Sequence, residues 1–397
     1  MKLKTLSEAQ NLQNARVLVR TDFNTPIKNG KVTNDTRIRV SLPTIKFLQK
    51  AGAKIILLTH LGRPKGSVDD KLRLDPVAQK LSELLKVPVK KLNDCVGPEV
   101  EEAVKKMKIG EIVLLENTRF HTSEKDNDIE FTKQLARLGD IFVDDAFGVA
   151  HRAHASNFGL AKLLPSYAGF SLEKEIISLA AVLQNPKRPL TLVLGGAKID
   201  TKIGVLKKFT ELADTILLGG GIANTFLAAQ GFEVGESLYE VEKLDTAREI
   251  LMAANTDGCK FVLPSDLVCI DAATEISAEA KTLTIRADRM PPNLKALDIG
   301  ERSIQQFSEI IKKSGTVVWN GPVGFFEISK FELGTRAIAK ACESTPGEAI
   351  LGGGDTLAAL AQFEISAEKF AHVSTGGGAM LEFLEGKKLP AIEILKK

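Results

Sequence analysis

The stretch Thr191-Leu-Val-Leu-Gly-Gly-Ala-Lys198 runs from a short apolar segment into a double glycine. A helical-period segment, Ile203–Glu211, follows, and then a second apolar run at Thr215–Leu218. A short apolar run bounded by turn residues reads as a strand covered on both faces, and strand, helix, strand at this spacing reads as a parallel crossover unit. The same alternation extends both ways. Strands are predicted at Arg16–Arg20, Lys54–Thr59, Ile112–Leu115 and Ile141–Val143, then at Lys260–Leu263, Thr316–Trp319, Ala349–Leu351 and Ala371–Ser374. Helices are predicted at Asp75–Leu85, Gly97–Lys106, Glu240–Ala254, Ser303–Lys313 and Lys330–Glu343. Between the two sets, Gly169–Gln184 carries a helical pattern stopped by Asn185-Pro186. The reading is an α/β chain of two doubly wound parallel-sheet, Rossmann-like domains joined by a hinge helix. Residues 1–170 are expected to form the first domain, and residues 171–385, including the connecting helix 171–184, the second.

Composition narrows the function. The 397 residues suffice for two cores, and 44% hydrophobic with 26% charged residues exclude disordered and fibrous classes. A net charge of +3 hides two halves of opposite sign. Residues 1–170 hold 28 Lys+Arg against 20 Asp+Glu, whereas residues 171–397 hold 25 against 30. A modestly basic half with few aromatic residues suits a small anion better than a nucleic acid, which needs clustered cations and stacking rings. Cys95, Cys259, Cys269 and Cys342 are widely spaced and form no CxxC pair, which points away from disulfides and toward a reducing, cytoplasmic setting. The N-terminal residues lack a signal-peptide core, and the longest uncharged stretch, Thr215–Phe232, is broken by Asn224, Gln230 and four glycines. Neither export nor a membrane span is expected.

In open parallel sheets, ligands bind beyond the carboxyl ends of the strands. In the first half those ends deliver Asp22-Phe23-Asn24, His60-Leu61-Gly62-Arg63, Asn117-Thr118-Arg119-Phe120-His121 and Asp144-Asp145 leading to His151-Arg152, with Arg37 on the segment after the first loop. Any one of these arginines reads as surface charge. Four strand ends in agreement read as a pocket for phosphate and carboxylate, which guanidinium grips bidentately. In the second half the ends deliver Gly195-Gly196, Gly219-Gly220-Gly221, Asn320-Gly321, Gly352-Gly353-Gly354-Asp355-Thr356 and Gly376-Gly377-Gly378. Three run into helices, whose N-terminal N–H groups accept phosphate. Lys198 and Lys202, four apart, are expected on one helical face toward the phosphates, with Asp355 as a Mg²⁺ carboxylate. No Walker A loop or GxGxxG fingerprint occurs, which weakens an NAD-dependent oxidoreductase. A nucleotide-binding sensor stays open, since fold alone does not set activity. His151 and His154 have no third ligand clustered with them, so an anion pocket accounts for them better than zinc. Trp319 is expected in the core beside Asn320.

Together these residues resemble phosphoglycerate kinases. The resemblance is carried by Arg20-Thr-Asp22-Phe-Asn24-Thr-Pro26, His60-Leu-Gly-Arg63-Pro64, Glu116-Asn-Thr-Arg119-Phe120, Asp145-Ala-Phe-Gly-Val-Ala-His151-Arg-Ala-His154, Leu194-Gly-Gly-Ala-Lys198, Val318-Trp-Asn-Gly-Pro-Val-Gly324, Gly352-Gly-Gly-Asp-Thr356 and Ser374-Thr-Gly-Gly-Gly378. It departs at Thr21, Thr25 and Thr118, where the family favours aliphatic residues; no charge is lost. It implies reversible phosphoryl transfer from the acyl phosphate of 1,3-bisphosphoglycerate to Mg-ADP, giving 3-phosphoglycerate and Mg-ATP. By matching motif, the triose would be held by Asp22, Phe23, Asn24, Arg37, His60, Leu61, Gly62, Arg63, Arg119 and Arg152. The nucleotide would be held by Gly196, Lys198, Lys202, Gly221, Asn320, Glu327, Gly353, Gly354, Asp355 and Thr356. Arg37, Lys198, Lys202, Gly376 and Gly377 would stabilise the transferring group, with Mg²⁺ at Asp355. The resemblance further implies a cytoplasmic monomer whose residues 386–397 fold back on the first domain. Ligands on different halves must meet at about 3–3.5 Å, so a hinge near Leu172–Leu183 is expected to close over them.

Overall fold

Runs such as Val17-Leu-Val19 and Ile55-Ile-Leu57 have apolar side chains at consecutive positions, and in a strand consecutive side chains point to opposite faces. Both faces must then be covered. The computed structural model describes residues 2–397 and shows how. The first parallel sheet is built from β1 (Arg16–Arg20), β2 (Lys54–Leu58), β3 (Val89–Lys91), β4 (Ile112–Leu114), β5 (Ile141–Asp144) and β6 (Ser166–Ala168), in the spatial order β3-β4-β2-β1-β5-β6. Val17, Val19, Ile55 and Leu57 pack into one core cluster, while Leu18, Ile56 and Leu58 pack into another on the opposite face.

The second parallel sheet takes β7 (Leu190–Leu194), β8 (Thr215–Leu218) and β9 (Lys260–Val262), and it resumes after a separate small sheet. That small sheet is antiparallel and consists of β10 (Asp266–Asp271), β11 (Leu283–Arg286) and β12 (Leu294–Ile299), in the order β11-β10-β12. The chain then supplies β13 (Thr316–Asn320), β14 (Glu348–Gly352) and β15 (His372–Ser374), and the large sheet reads β9-β8-β7-β13-β14-β15. The winding direction reverses between β1 and β5 in the first sheet and between β7 and β13 in the second. Those are the points where a crevice opens at the strand ends.

Contacts divide the chain into two compact units, Met1–Ile177 with Lys388–Lys397, and Ser178–Lys387. The helix Phe170–Gln184 spans the division. In the first unit the edge strand β6 is covered in two steps. Ala168 donates its N–H to Lys4 O at 2.8 Å and Thr5 bridges Ala168, while Leu3 bridges Lys396 and Lys4 donates to Leu395 O at 2.9 Å. The short helix Pro390–Glu393 is fixed by the Ala391 N–H on Ala150 O at 3.2 Å. Among the described residues, no helix is long and apolar enough to cross a membrane.

Candidate functional site

In the first unit the floor of the pocket is a buried cation. Arg20, 1% exposed, ends β1, donates Nε to Ser156 Oγ at 2.8 Å and donates Nη2 to His60 Nδ1 at 3.1 Å. Guanidinium has no acceptor, so His60 Nδ1 must be unprotonated here. Burial, reinforced by Arg20, Arg119 and Arg37, holds His60 well below the usual histidine range. Burial and the same two arginines, Arg20 and Arg119, push His154 down to about 4. Both imidazoles are therefore neutral at pH 7 and leave the positive charge to the arginines.

The strand-end loops are laced to one another. Asn24 Oδ1 accepts the Gly62 N–H at 2.9 Å, and Arg119 Nη1 donates to Gly62 O at 2.8 Å. Arg119 rides on the 3-10 turn Thr118–Phe120, capped by Asn117, whose Oδ1 accepts the Arg119 N–H at 3.2 Å. Burial lowers Arg119 to about 10, and its buried Nε has no partner within the protein. Arg37, in the first turn of helix Thr36–Lys50, pairs with buried Asp22 at 3.2 Å and donates to Asn24 O at 3.1 Å. Arg63 and Arg152 are exposed. Phe23 and Leu61 lie with their side chains in the core, and their N–H groups are bonded to Thr59 Oγ1 and Asn117 Oδ1. They support the loop without presenting a side chain to the pocket.

In the second unit the glycines have separate jobs. A Cβ on Gly195 would stand 1.9 Å from Pro322 O, so the turns after β7 and β13 pack backbone to backbone. Gly353 has φ +105°, a conformation closed to most side chains. A Cβ on Gly354 would meet nothing within 4 Å, so no internal packing demands glycine there. Gly354 and Asp355 open helix Gly354–Gln362 and are exposed, and Gly376 caps helix Gly377–Leu384 with its N–H on Ser374 Oγ at 3.2 Å. Thr356 Oγ1 accepts the Gly321 N–H at 2.8 Å, and Asn320 Nδ2 donates to Gly352 O at 2.9 Å. Trp319 is wholly buried, with Nε1 on Gly321 O at 2.8 Å.

The two lysines do not share a helical face, because the α-helix begins only at Ile203. Lys198 is exposed in the loop. Lys202, in the turn Asp200–Lys202, is buried and donates Nζ to Gly195 O and, at 3.3 Å, to Asn320 O. Burial lowers it to about 8 against the opposing pull of Asp355. A cavity of about 250 Å³ is lined by Gly196, Gly221, Glu327 and Asp355 together with apolar Leu238 and Leu297. Its apolar lining was not legible in sequence: Leu297 sits on β12, and only Val323, inside the Val318–Gly324 block, offered a signal.

A cationic pocket and a glycine-walled cavity, each at the carboxyl end of a parallel sheet, can be compared with known proteins. The phosphoglycerate kinase family model matches residues 6–387. The chain belongs to the phosphoglycerate kinase family. It is 51% identical to phosphoglycerate kinase of Dictyoglomus turgidum over 388 residues, covering 98% of this chain and 97% of that one. It is 50% identical to the Moorella thermoacetica enzyme over 384 residues, covering 97% of each. Among solved structures, phosphoglycerate kinase of Coxiella burnetii superposes with a TM-score of 0.87 at 42% identity over 99% of both chains. That of Pyrococcus horikoshii gives 0.88 at 33% identity over 99% of this chain and 98% of the other. As a phosphoglycerate kinase family member the chain is a transferase, and its reaction is the reversible glycolytic phosphotransfer between 1,3-bisphosphoglycerate and ADP.

Proposed function

We propose that the first unit holds the triose and the second holds Mg-ADP or Mg-ATP, in a cytoplasmic monomer. The observation that carries this assignment is the contrast between the two strand-end sites. One gathers guanidinium groups around neutral histidines, and the other keeps Gly354, which packing does not require, open at a helix N-terminus. Guanidinium suits a triose bearing phosphate and carboxylate. A helix N-terminus and lysine suit a polyphosphate, with the apolar lining of Leu238 and Leu297 suited to a base.

In the ATP-consuming direction the nucleophile is the 3-phosphoglycerate carboxylate. At a pKa of about 3.5 it is already ionised at neutral pH, so no general base is required. A carboxylate oxygen forms the new bond to the γ-phosphorus as the bond to the β-bridging oxygen breaks and ADP leaves. The protein must align the groups and stabilise charge on the phosphoryl oxygens. In the first unit this falls to Arg37, and in the second to Lys198 and the Gly377 amide, the Gly376 N–H being held already by Ser374 Oγ. Lys202 acts from beneath the Gly195–Gly196 turn. An exposed carboxylate at a helix N-terminus matches Mg²⁺, which takes one or two carboxylates and keeps its waters, so Asp355 fits this ion. Mg²⁺ there would neutralise phosphate charge.

Calorimetric titration of Arg119→Ala and Gly354→Ala tests the assignment. Arg119→Ala should lose 3-phosphoglycerate binding and keep Mg-ADP, whereas Gly354→Ala should weaken Mg-ADP about tenfold and keep 3-phosphoglycerate. Loss of both ligands in either folded variant, or of the wrong one, overturns it.

A further inference from the structure

The loop after β3 and the turn after β4 lie side by side, since β3 and β4 pair in parallel. The first carries Asp94 and Cys95, and His121 closes the second. His121 Nε2 and Asp94 Oδ1 are 2.7 Å apart, and one potential ligand atom from each of Asp94, Cys95 and His121 lies within 4.8 Å of the others. This is the one such trio among the described residues. Two contacts pre-set its geometry. Asp94 Oδ1 accepts the Cys95 N–H at 2.6 Å, which folds the carboxylate back over its own chain. The His121 ring lies over Phe131, with centroids 5.1 Å apart. Cys95 is wholly buried at the margin of a core cluster while Asp94 is exposed and His121 half-buried, so the trio runs from the surface inward to the thiol. Burial, with Asp94 and buried Glu124 beside it, holds the Cys95 thiol well above the usual range, so it stays protonated until a cation displaces the proton.

We propose that Asp94, Cys95 and His121 form a binding site for a divalent cation of the zinc class, with water as the fourth ligand. One thiolate, one imidazole and one carboxylate form a set that selects borderline-soft ions over Mg²⁺. Metal–ligand bonds of about 2.0–2.3 Å place tetrahedral ligands roughly 3.3–3.6 Å apart, so atoms now as far as 4.8 Å apart must close by up to about 1.5 Å while the 2.7 Å His121–Asp94 contact opens by about 0.6 Å. As the sulfur–metal bond forms, the Cys95 proton passes to solvent. His121, which donates from Nε2 to Asp94, shifts to the tautomer protonated on Nδ1 and binds through the freed lone pair. The cation would staple the β3 and β4 loops. None of the three residues belongs to the proposed triose or nucleotide sites, so the inference stands apart from them.

Titration of the reduced full chain with Co²⁺ tests it. The expected result is one saturable equivalent with a near-ultraviolet thiolate-to-cobalt charge-transfer band, displaced by Zn²⁺ and unaffected by millimolar Mg²⁺. Cys95→Ala should abolish the band, and His121→Ala or Asp94→Asn should weaken binding by about 10-fold or more. Asp94 and His121 face solvent, so those two variants carry the test if Cys95→Ala fails to fold. Zn²⁺ should also raise the thermal midpoint of the wild type and not of His121→Ala. Absence of a thiolate band in the wild type, or equal binding by His121→Ala and Asp94→Asn, overturns the proposal.

Discussion

Asp145 Oδ1 accepts the Ser171 N–H at 2.8 Å, so a carboxylate at the end of β5 caps the helix that spans the two units. The Leu172 N–H reaches the same oxygen at 3.4 Å. The Ser41 and Thr44 hydroxyls, from the helix that carries Arg37, lie near the carboxylate and favour its charged form, while its Oδ2 is buried without a hydrogen-bond partner. Burial raises Asp145 to about 7, against about 3.9 unfolded. Between roughly pH 4 and 7 the folded state keeps a proton that the unfolded state has lost, so this group's contribution falls as pH rises through that window and is level above it. Urea unfolding should show Asp145→Asn gaining on the wild type from pH 4 to 7. Asp145→Ala should lose about 1 kcal/mol more through the missing cap. A pH-independent difference between wild type and Asp145→Asn would show that the carboxyl ionises normally.

Lys202 has the opposite sign. Its folded value of about 8 lies below the usual 10.5, so between those limits the unfolded state holds more protons and the group's contribution to stability rises with pH. Phosphates near Nζ would restore the charge. Mg-ADP binding at pH 8 should therefore take up about half a proton, read by calorimetry in buffers of different ionisation enthalpy, and Lys202→Met should take up none.

Arg37→Ala should lower kcat by on the order of 10³, with the Mg-ADP dissociation constant changed less than threefold, because its charge is aimed at the transferring group. Steady-state kinetics beside direct nucleotide titration separates the two effects. Near-normal turnover would remove Arg37 from the mechanism.

Two glycine substitutions should behave as opposites. Gly354→Ala meets nothing within 4 Å and should leave the thermal midpoint unchanged or slightly raised, while raising the KM for nucleotide about tenfold. In Gly195→Ala the new Cβ would lie 1.9 Å from Pro322 O, so it should cost several kcal/mol in chemical denaturation.

The long strands were legible because burial on both faces writes an unbroken apolar run, as in Ile55-Ile-Leu57. The edge strands Val89–Lys91 and Ser166–Ala168 were not, being three residues each and partly exposed. The antiparallel sheet was missed because only Leu263-Pro264-Ser265 separate β9 from β10, so one apolar stretch hid two strands. Pro43 disguised helix Thr36–Lys50, whose first turn carries Arg37. At the site, arginines at strand ends could be read from position alone. The depth of Arg20 could not, nor could the burial of Lys202, because both follow from loops folding over them: Ser156 over one, Gly195 and Asn320 over the other.

The bridge between Leu3 and Lys396 makes the second unit, in chain order, an insertion within the first. A ribosome adding about 5–20 residues per second spends about 10–40 s on residues 178–387 after the first unit's sheet has emerged. Throughout that interval the N-terminal segment beside β6 lacks its covering partner, and the exposed edge is open to pairing with another chain. The unit made first is thus the last to be completed, and its vulnerable period is set by the length of its neighbour.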